Sequence, residues 1–270
     1  MKLKDYFKKA QKEGWAIGHF NISNLETLRA IVASSQNLKS PVIIGTSEGE
    51  GRFIGLQQAV ALVRSFREEA GLPIFLNLDH GKTLEYIKKA IDAGYDSVHF
   101  DGSALPLEEN IKTAKEIVKF AHKKNVLVEG GVGEIGGELT DPAAAEKFIQ
   151  ETEIDSLAAN IGTWHGEGEK TGIDFSRLKE IKERVGDKVF LVLHGGSGVP
   201  SGHIKQVIEW GISVIHISTE LRLAFTSALR KSLQENAQET IPYKYMPRVV
   251  EAVQRVVEEK IKLFGSRNRN

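Results

Sequence analysis

The chain has 270 residues, 41% hydrophobic and 27% charged, enough apolar material for a sizeable core in one or two domains. Its 36 basic residues balance 36 acidic ones, so charge gives no reason to expect a nucleic acid or an anionic membrane as partner, and no apolar run approaches the roughly 20 residues that span a bilayer. With no cysteine, disulfides, thiolate metal sites and cysteine nucleophiles are excluded, and any bound metal must use histidines and carboxylates.

The first stretch, MKLKDYFKKAQKEG, is charged and amphipathic and lacks a signal-peptide core, which makes the cytoplasm the expected location. From there short runs rich in Val and Ile alternate with helical patterns. Strands are expected near Ala16–Phe20, Pro41–Gly45, Pro73–Leu78, Ser97–Phe100, Val126–Glu129, Ser156–Ile161, Lys188–Leu193 and Ser213–Ile217. The segments between them, such as LETLRAIVASSQ, LEYIKKAIDAG and LEENIKTAKEIVKFAHKK, space their apolar residues three and four apart, and several close at glycine, as at Gly94. Eight β-then-α units predict an α/β fold of the (β/α)8 TIM-barrel type, with an additional C-terminal helix over Ile241–Phe264. A doubly wound sheet is the structural alternative. No low-complexity linker divides the chain, so one domain over residues 1–270 is expected.

Within this alternation, VEGGVGEIGGE (Val128–Glu138) carries the G-x-G-x-x-G spacing of dinucleotide-binding loops. In such a fingerprint the third glycine opens a helix. Here helix-like sequence resumes only after Pro142, so the stretch reads as the fifth barrel strand running into a short loop.

Barrel chemistry collects just past the C-terminal ends of the strands. Those positions read Asp79-His80-Gly81, His99-Phe100-Asp101-Gly102-Ser103, Gly162-Thr163-Trp164-His165-Gly166, His194-Gly195-Gly196-Ser197-Gly198 and His216-Ile217-Ser218-Thr219. A single strand-end histidine is usually structural. Three, each followed by glycine and each on a different strand, would bring imidazole nitrogens to one face with open coordination positions, a set suited to catalytic zinc. HGGSG is suited to a phosphate, because glycines let backbone N–H groups approach closely; a bare turn is its plain alternative.

With DHG, GTWHG and LHGGSG in this order, the chain resembles the class II, metal-dependent ketose-bisphosphate aldolases, which include fructose- and tagatose-bisphosphate aldolases. The likeness spans nearly the whole chain, from FN-x-x-N-L-E (Phe20–Glu26) and PVII-x-x-SEG (Pro41–Gly49) to LRLAF and KLFGS near the end. It implies His80, His165 and His194 as ligands of Zn2+ or another divalent metal, and Asp79 as the acid/base on the aldehyde-derived hydroxyl. It also implies Gly166, Gly195, Gly196, Ser197, Ser218 and Thr219 as a cradle for the dihydroxyacetone phosphate end. Asn21 falls in the family's opening motif and is expected to bind substrate, and Ser47 matches a residue near the opposite phosphate. The reaction implied is reversible cleavage of a ketose bisphosphate, fructose 1,6-bisphosphate first, to dihydroxyacetone phosphate and glyceraldehyde 3-phosphate. A metal would hold the resulting enediolate as a Lewis acid. A Schiff-base route would need a lysine within a strand, and none is there; Lys82 follows the DHG turn.

The chain departs from the family pattern in four places. V-E-A-E-L-G becomes Val128-Glu129-Gly130-Gly131-Val132-Gly133, so the second glutamate, which in the family joins a secondary metal position that Asp101 also matches, is missing at Gly131, and Asp101 is expected to orient neighbours instead. The loop that follows is short, and Glu138 is the nearby candidate for the family's catalytic glutamate. On strand eight His216 stands where Asn usually meets the substrate; His19 and His99 also replace smaller or apolar residues, either widening an imidazole-lined pocket or bonding within the barrel. In the tail, Tyr243 replaces an arginine of the second phosphate site, with Lys244 beside it, and Lys170 is a displaced candidate near the first. A related aldolase with another aldehyde partner, or a substrate lacking one phosphate, is therefore a second expectation, and a non-catalytic sugar-phosphate-binding protein a third. Retention of Asp79 argues against the third. A homodimer or larger assembly is the expected state.

Overall fold

A computed structural model describes residues 2–133, 137–163 and 172–270. The chain opens with α1 (Leu3–Glu13), then runs β1 (Ile17–Asn21), α2 (Leu25–Leu38), β2 (Val42–Ser47), α3 (Glu48–Ile54), α4 (Leu56–Ala70) and β3 (Ile74–Gly81). It continues α5 (Leu84–Ala93), β4 (Ser97–Phe100), α6 (Leu107–His122), β5 (Leu127–Val132), α7 (Pro142–Thr152) and β6 (Ser156–Ala159). The last part is α8 (Phe175–Val185), β7 (Phe190–Leu193), α9 (Ser201–Glu209), β8 (Ile212–Ile217), α10 (Thr219–Glu235) and α11 (Pro242–Leu263). The strands pair in chain order and β8 closes on β1, all parallel, in a closed barrel. This is the expected TIM barrel with its C-terminal helix. Each expected strand is present; β3 runs three residues further than expected, through Asp79, His80 and Gly81.

Local chemistry sets the element ends. Asn24 accepts a hydrogen bond from the Thr27 N–H at 2.8 Å and starts α2; Asp141 caps α7, whose first turn takes Pro142. Gly94, at φ +110, ends α5. In α11 the buried residues Val249, Val253, Val257 and Ile261 fall four apart, so one stripe packs inward. Burying each such side chain stabilises the fold by roughly 1.5–3 kcal/mol.

The barrel interior is layered. At its N-terminal end Ile17, Ile43, Phe75, Phe190, Val192 and Val214 pack with Leu3, Tyr6, Phe7 and Ala10 of α1, which covers that end with apolar surface. Two residues further along the strands the interior turns polar. His19 donates from Nε2 to Asn77 Oδ1 at 3.1 Å, and Asn77 Nδ2 donates to Ser97 Oγ at 2.8 Å. Gly45 makes room for this layer, since a Cβ there would lie 2.1 Å from His19 Cε1. The outward side chains of the same strands, among them Phe20, Ile44, Leu76, Leu78 and Val98, join the main core beneath the helices. An apolar floor and a polar upper interior leave the functional groups at the C-terminal end.

Candidate active site

The C-terminal strand ends open into a cleft of about 830 Å³ whose lining includes Asn21, Asp79, His80, Asp101, His194 and His216. Asp79 and His80 are neighbours in β3, and in a regular strand they would point to opposite faces. The register between β3 and β4 shifts between Leu78 and Gly81, and His80 adopts φ +51, in the left-handed region. This irregularity turns both side chains into the cleft. Holding a non-glycine residue there costs roughly 1–3 kcal/mol, which the surrounding packing must offset. Gly81 allows the close approach that follows, because a Cβ on it would stand 2.9 Å from the His99 carbonyl oxygen.

His80 Nδ1 lies 2.8 Å from Asp101 Oδ2, and His194 Nε2 lies 2.7 Å from Glu129 Oε1. Carboxylates only accept, so each ring carries a proton on the nitrogen facing its carboxylate. The other two nitrogens, His80 Nε2 and His194 Nδ1, then face one another at 3.2 Å. Two lone pairs in that position require a proton or a cation between them. A tetrahedral metal bonded to nitrogen at roughly 2.0–2.1 Å separates two such ligands by about 3.3 Å, so the pair fits a divalent metal. Carboxylates on the outward nitrogens are also what fixes ligand tautomers at metal sites. Asp79, His80, His99 and His194 bring their ligand atoms within 4.8 Å of one another and could hold an ion. In the metal-free protein burial opposes charge on His80, but Asp79 and Asp101 outweigh it and raise its pKa to about 9.

Asp79 is buried, which by itself would raise its carboxyl; the neighbouring charge of His80 wins and holds it well below the ordinary range. Asn21 Nδ2 donates to Asp79 Oδ2 at 2.9 Å. Asp79 Oδ1 has no hydrogen-bond partner among the described residues, although His216 Nδ1 is 3.3 Å away. His216 stacks on His19 with centroids 3.6 Å apart, and its ring lies tilted against that of His194 at 3.9 Å. Burial pushes both His19 and His216 below the usual imidazole range, so the His19–His216 pair is neutral. His19 stays within the barrel rather than reaching the cleft. His99 Nδ1 accepts the His80 N–H at 3.3 Å, which helps set the unusual His80 backbone.

Across the cleft Gly195, Ser197, Ser218 and Thr219 line the wall beside the first turn of α10, with Arg222 near them. Ser197 Oγ accepts from the N–H groups of Ser218 and Glu220, both at 3.3 Å, and so ties β7 to the start of α10. Gly196 donates its N–H to the His216 carbonyl at 3.1 Å, and a Cβ on it would meet that oxygen at 2.9 Å, so it contributes close packing. At the other end Ser47 starts α3 through a capping box with Glu50. Glu138 is exposed, and its backbone carbonyl accepts from Asn160 Nδ2 at 3.0 Å. His165, Gly166 and Lys170 lie outside the described residues.

Sequence reasoning did not assign Glu129, Glu50 or Arg222. Glu129 had a signal, a charged residue inside an otherwise apolar barrel strand. The Ser47–Glu50 spacing also carried one, the S-x-x-E capping box. Asp101 orients a neighbour, His80, as expected.

The fold and the site define a (β/α)8 barrel with a histidine–carboxylate centre at the C-terminal ends of its strands. Residues 1–269 match the family described as "Fructose-bisphosphate aldolase class-II". The chain belongs to that family, and is accordingly an aldolase-type lyase of a metal-dependent kind. It is similar to the YdjI aldolase of Escherichia coli K12, at 34% identity and a TM-score of 0.88, covering 99% of this chain and 98% of that one. It also shares its fold with the fructose-bisphosphate aldolase (Fba) of Campylobacter jejuni, at 23% identity and a TM-score of 0.89, covering 99% and 95%.

Proposed function

We propose that the protein catalyses zinc-dependent, reversible aldol cleavage of a ketose phosphate, releasing dihydroxyacetone phosphate and an aldehyde. The observation that carries this reading is the 3.2 Å facing pair of His80 Nε2 and His194 Nδ1 beside Asp79 Oδ1, which has no hydrogen-bond partner among the described residues. His80 and His194 would hold the metal, with His165 as the third ligand implied by the resemblance. Bound there, a divalent metal supplies Lewis-acid stabilisation of the negative charge that develops on the ketone fragment.

Asp79 remains ionised at neutral pH and takes the proton of the C4 hydroxyl at Oδ1, while Asn21 holds Oδ2. As that O–H bond breaks, C4 becomes a carbonyl, the C3–C4 bond gives its electron pair to C3, and the charge spreads onto the C2 oxygen. Protonation at C3 completes dihydroxyacetone phosphate, and Glu138 is the candidate donor. Ser197, Ser218, Thr219, Gly195 and Gly196 form the cradle for the shared phosphate, and the resemblance adds Gly166 and Lys170 as candidates. His216 packs against Asp79 and faces the substrate from β8.

Fructose 1,6-bisphosphate is the first substrate to test, within a cytoplasmic, glycolytic role and a homo-oligomeric assembly. The test is cleavage of fructose and tagatose bisphosphates and their 1-phosphates by metal-stripped and zinc-restored protein. Activity should vanish on stripping, return with zinc and leave no borohydride-trapped adduct. Equal activity in metal-stripped protein would sink the proposal.

A further inference from the structure

The two ends of the cleft differ in charge, and the difference bears on the aldehyde. Near Ser197 and Thr219 the wall offers backbone and hydroxyl groups, with Arg222 bonded to Thr219 Oγ1 at 3.1 Å. The opposite end is lined by Asn21, Ser47, Glu48 and Glu50. There one backbone donor is already engaged, because the Ser47 N–H donates to Glu50 Oε2 at 2.7 Å. Ser47 Oγ in turn accepts from the Glu50 N–H at 3.3 Å. The Glu50 carboxylate thus occupies the place of an anion. Asn21 Nδ2 donates to the same Glu50 oxygen at 3.1 Å as well as to Asp79, which leaves Asn21 Oδ1, on a residue 7% exposed, with no donor among the described residues.

Two cations that could meet a second phosphate are already paired. Arg52 is paired with Glu48 at 3.3 Å, and in the tail Lys244 is paired with Glu239 at 3.3 Å. Lys82, exposed on the rim, donates its backbone N–H to Glu48 Oε1 at 2.8 Å. An unfilled buried acceptor beside carboxylates calls for hydroxyl donors, whereas a phosphate would meet like charge.

We propose, resting on the aldolase reading, that this end selects an uncharged polyhydroxy aldehyde, so that the preferred substrates are ketose 1-phosphates without a second phosphate. Glu50 is the specificity-determining residue.

The experiment uses zinc-loaded enzyme with dihydroxyacetone phosphate and paired aldehydes: glyceraldehyde and its 3-phosphate in both enantiomers, and erythrose and its 4-phosphate. Wild type should favour the unphosphorylated member of the best pair by at least about tenfold in kcat/KM. Glu50→Gln keeps an oxygen for the Ser47 N–H, since Gln serves in a capping box, and removes the charge. It should shift the ratio about tenfold toward the phosphorylated member, with the KM for dihydroxyacetone phosphate unchanged. A wild-type preference for phosphorylated aldehydes, or a ratio that Glu50→Gln does not move, overturns the inference and leaves the aldolase reading standing. Loss of turnover with every aldehyde is the distinct failure of that reading, and this inference falls with it.

Discussion

His80 Nε2 and His194 Nδ1 face each other across 3.2 Å, each ring held from behind by a carboxylate, Asp101 on one side and Glu129 on the other. The pair joins β3 to β7 across the barrel mouth, and its geometry depends on four residues from four places in the chain. The carboxylates should therefore matter to metal affinity almost as much as the imidazoles.

Asp101→Asn and Glu129→Gln are each expected to weaken zinc binding by about 10–100-fold while leaving a folded barrel. Competition against a chromophoric chelator measures this directly. Raising zinc should restore most of the lost turnover, whereas His194→Ala should not be rescued.

Asp79→Asn preserves the size of the side chain and removes its basicity. Turnover should fall by about 10²–10⁴-fold with zinc content unchanged by elemental analysis. Zinc loss in this variant would move Asp79 from proton transfer to metal binding.

The pH dependence of the metal-free protein follows from the Asp101–His80 pair. The Asp101 carboxyl is held below its usual value: burial acts to raise it, but the hydrogen bond from His80 prevails. Its contribution is present above the unfolded carboxylate pKa of about 3.9 and is lost as pH falls. His80 is raised to about 9, so its contribution is complete below the unfolded value and declines as pH rises through the folded one. The melting temperature of chelator-treated protein should peak between about pH 4 and pH 6.5 and decline toward alkaline pH. Asp101→Asn should make both limbs shallower, with the Asp79–His80 attraction keeping part of each, which a calorimetric pH series will check.

Gly45 tests the packing of the polar layer. Gly45→Ala places a methyl group against the His19 ring and should destabilise the protein by about 1–3 kcal/mol. The double variant His19→Ala/Gly45→Ala should recover part of that loss if the clash is the cause, as denaturant titration of all three proteins will report.

Much of this architecture is legible along the chain. The Val- and Ile-rich runs at Pro41–Gly45 and Ser213–Ile217 are strands in the structure because β-branched residues bounded by turn signals have few other stable uses. The glycines after His80 and His194 mark strand ends, and Pro142 marks the start of α7. What the linear order leaves open is direction and partnership. Alternation alone would point Asp79 and His80 apart, and only the irregular β3–β4 register brings them together. Glu129 reads as one charge in an apolar strand until β7 is placed across from it, 65 residues away, where His194 supplies its hydrogen bond. Ser47 matches a phosphate-binding position in sequence, yet the local capping box has already given its N–H to Glu50. Sequence by itself determined the barrel, the family and the imidazoles at the strand ends, because hydrophobic period and turn chemistry are local. Tertiary structure decided which nitrogen each carboxylate holds and that Asn21 bridges Glu50 and Asp79, because those depend on distances between strands that no local pattern encodes.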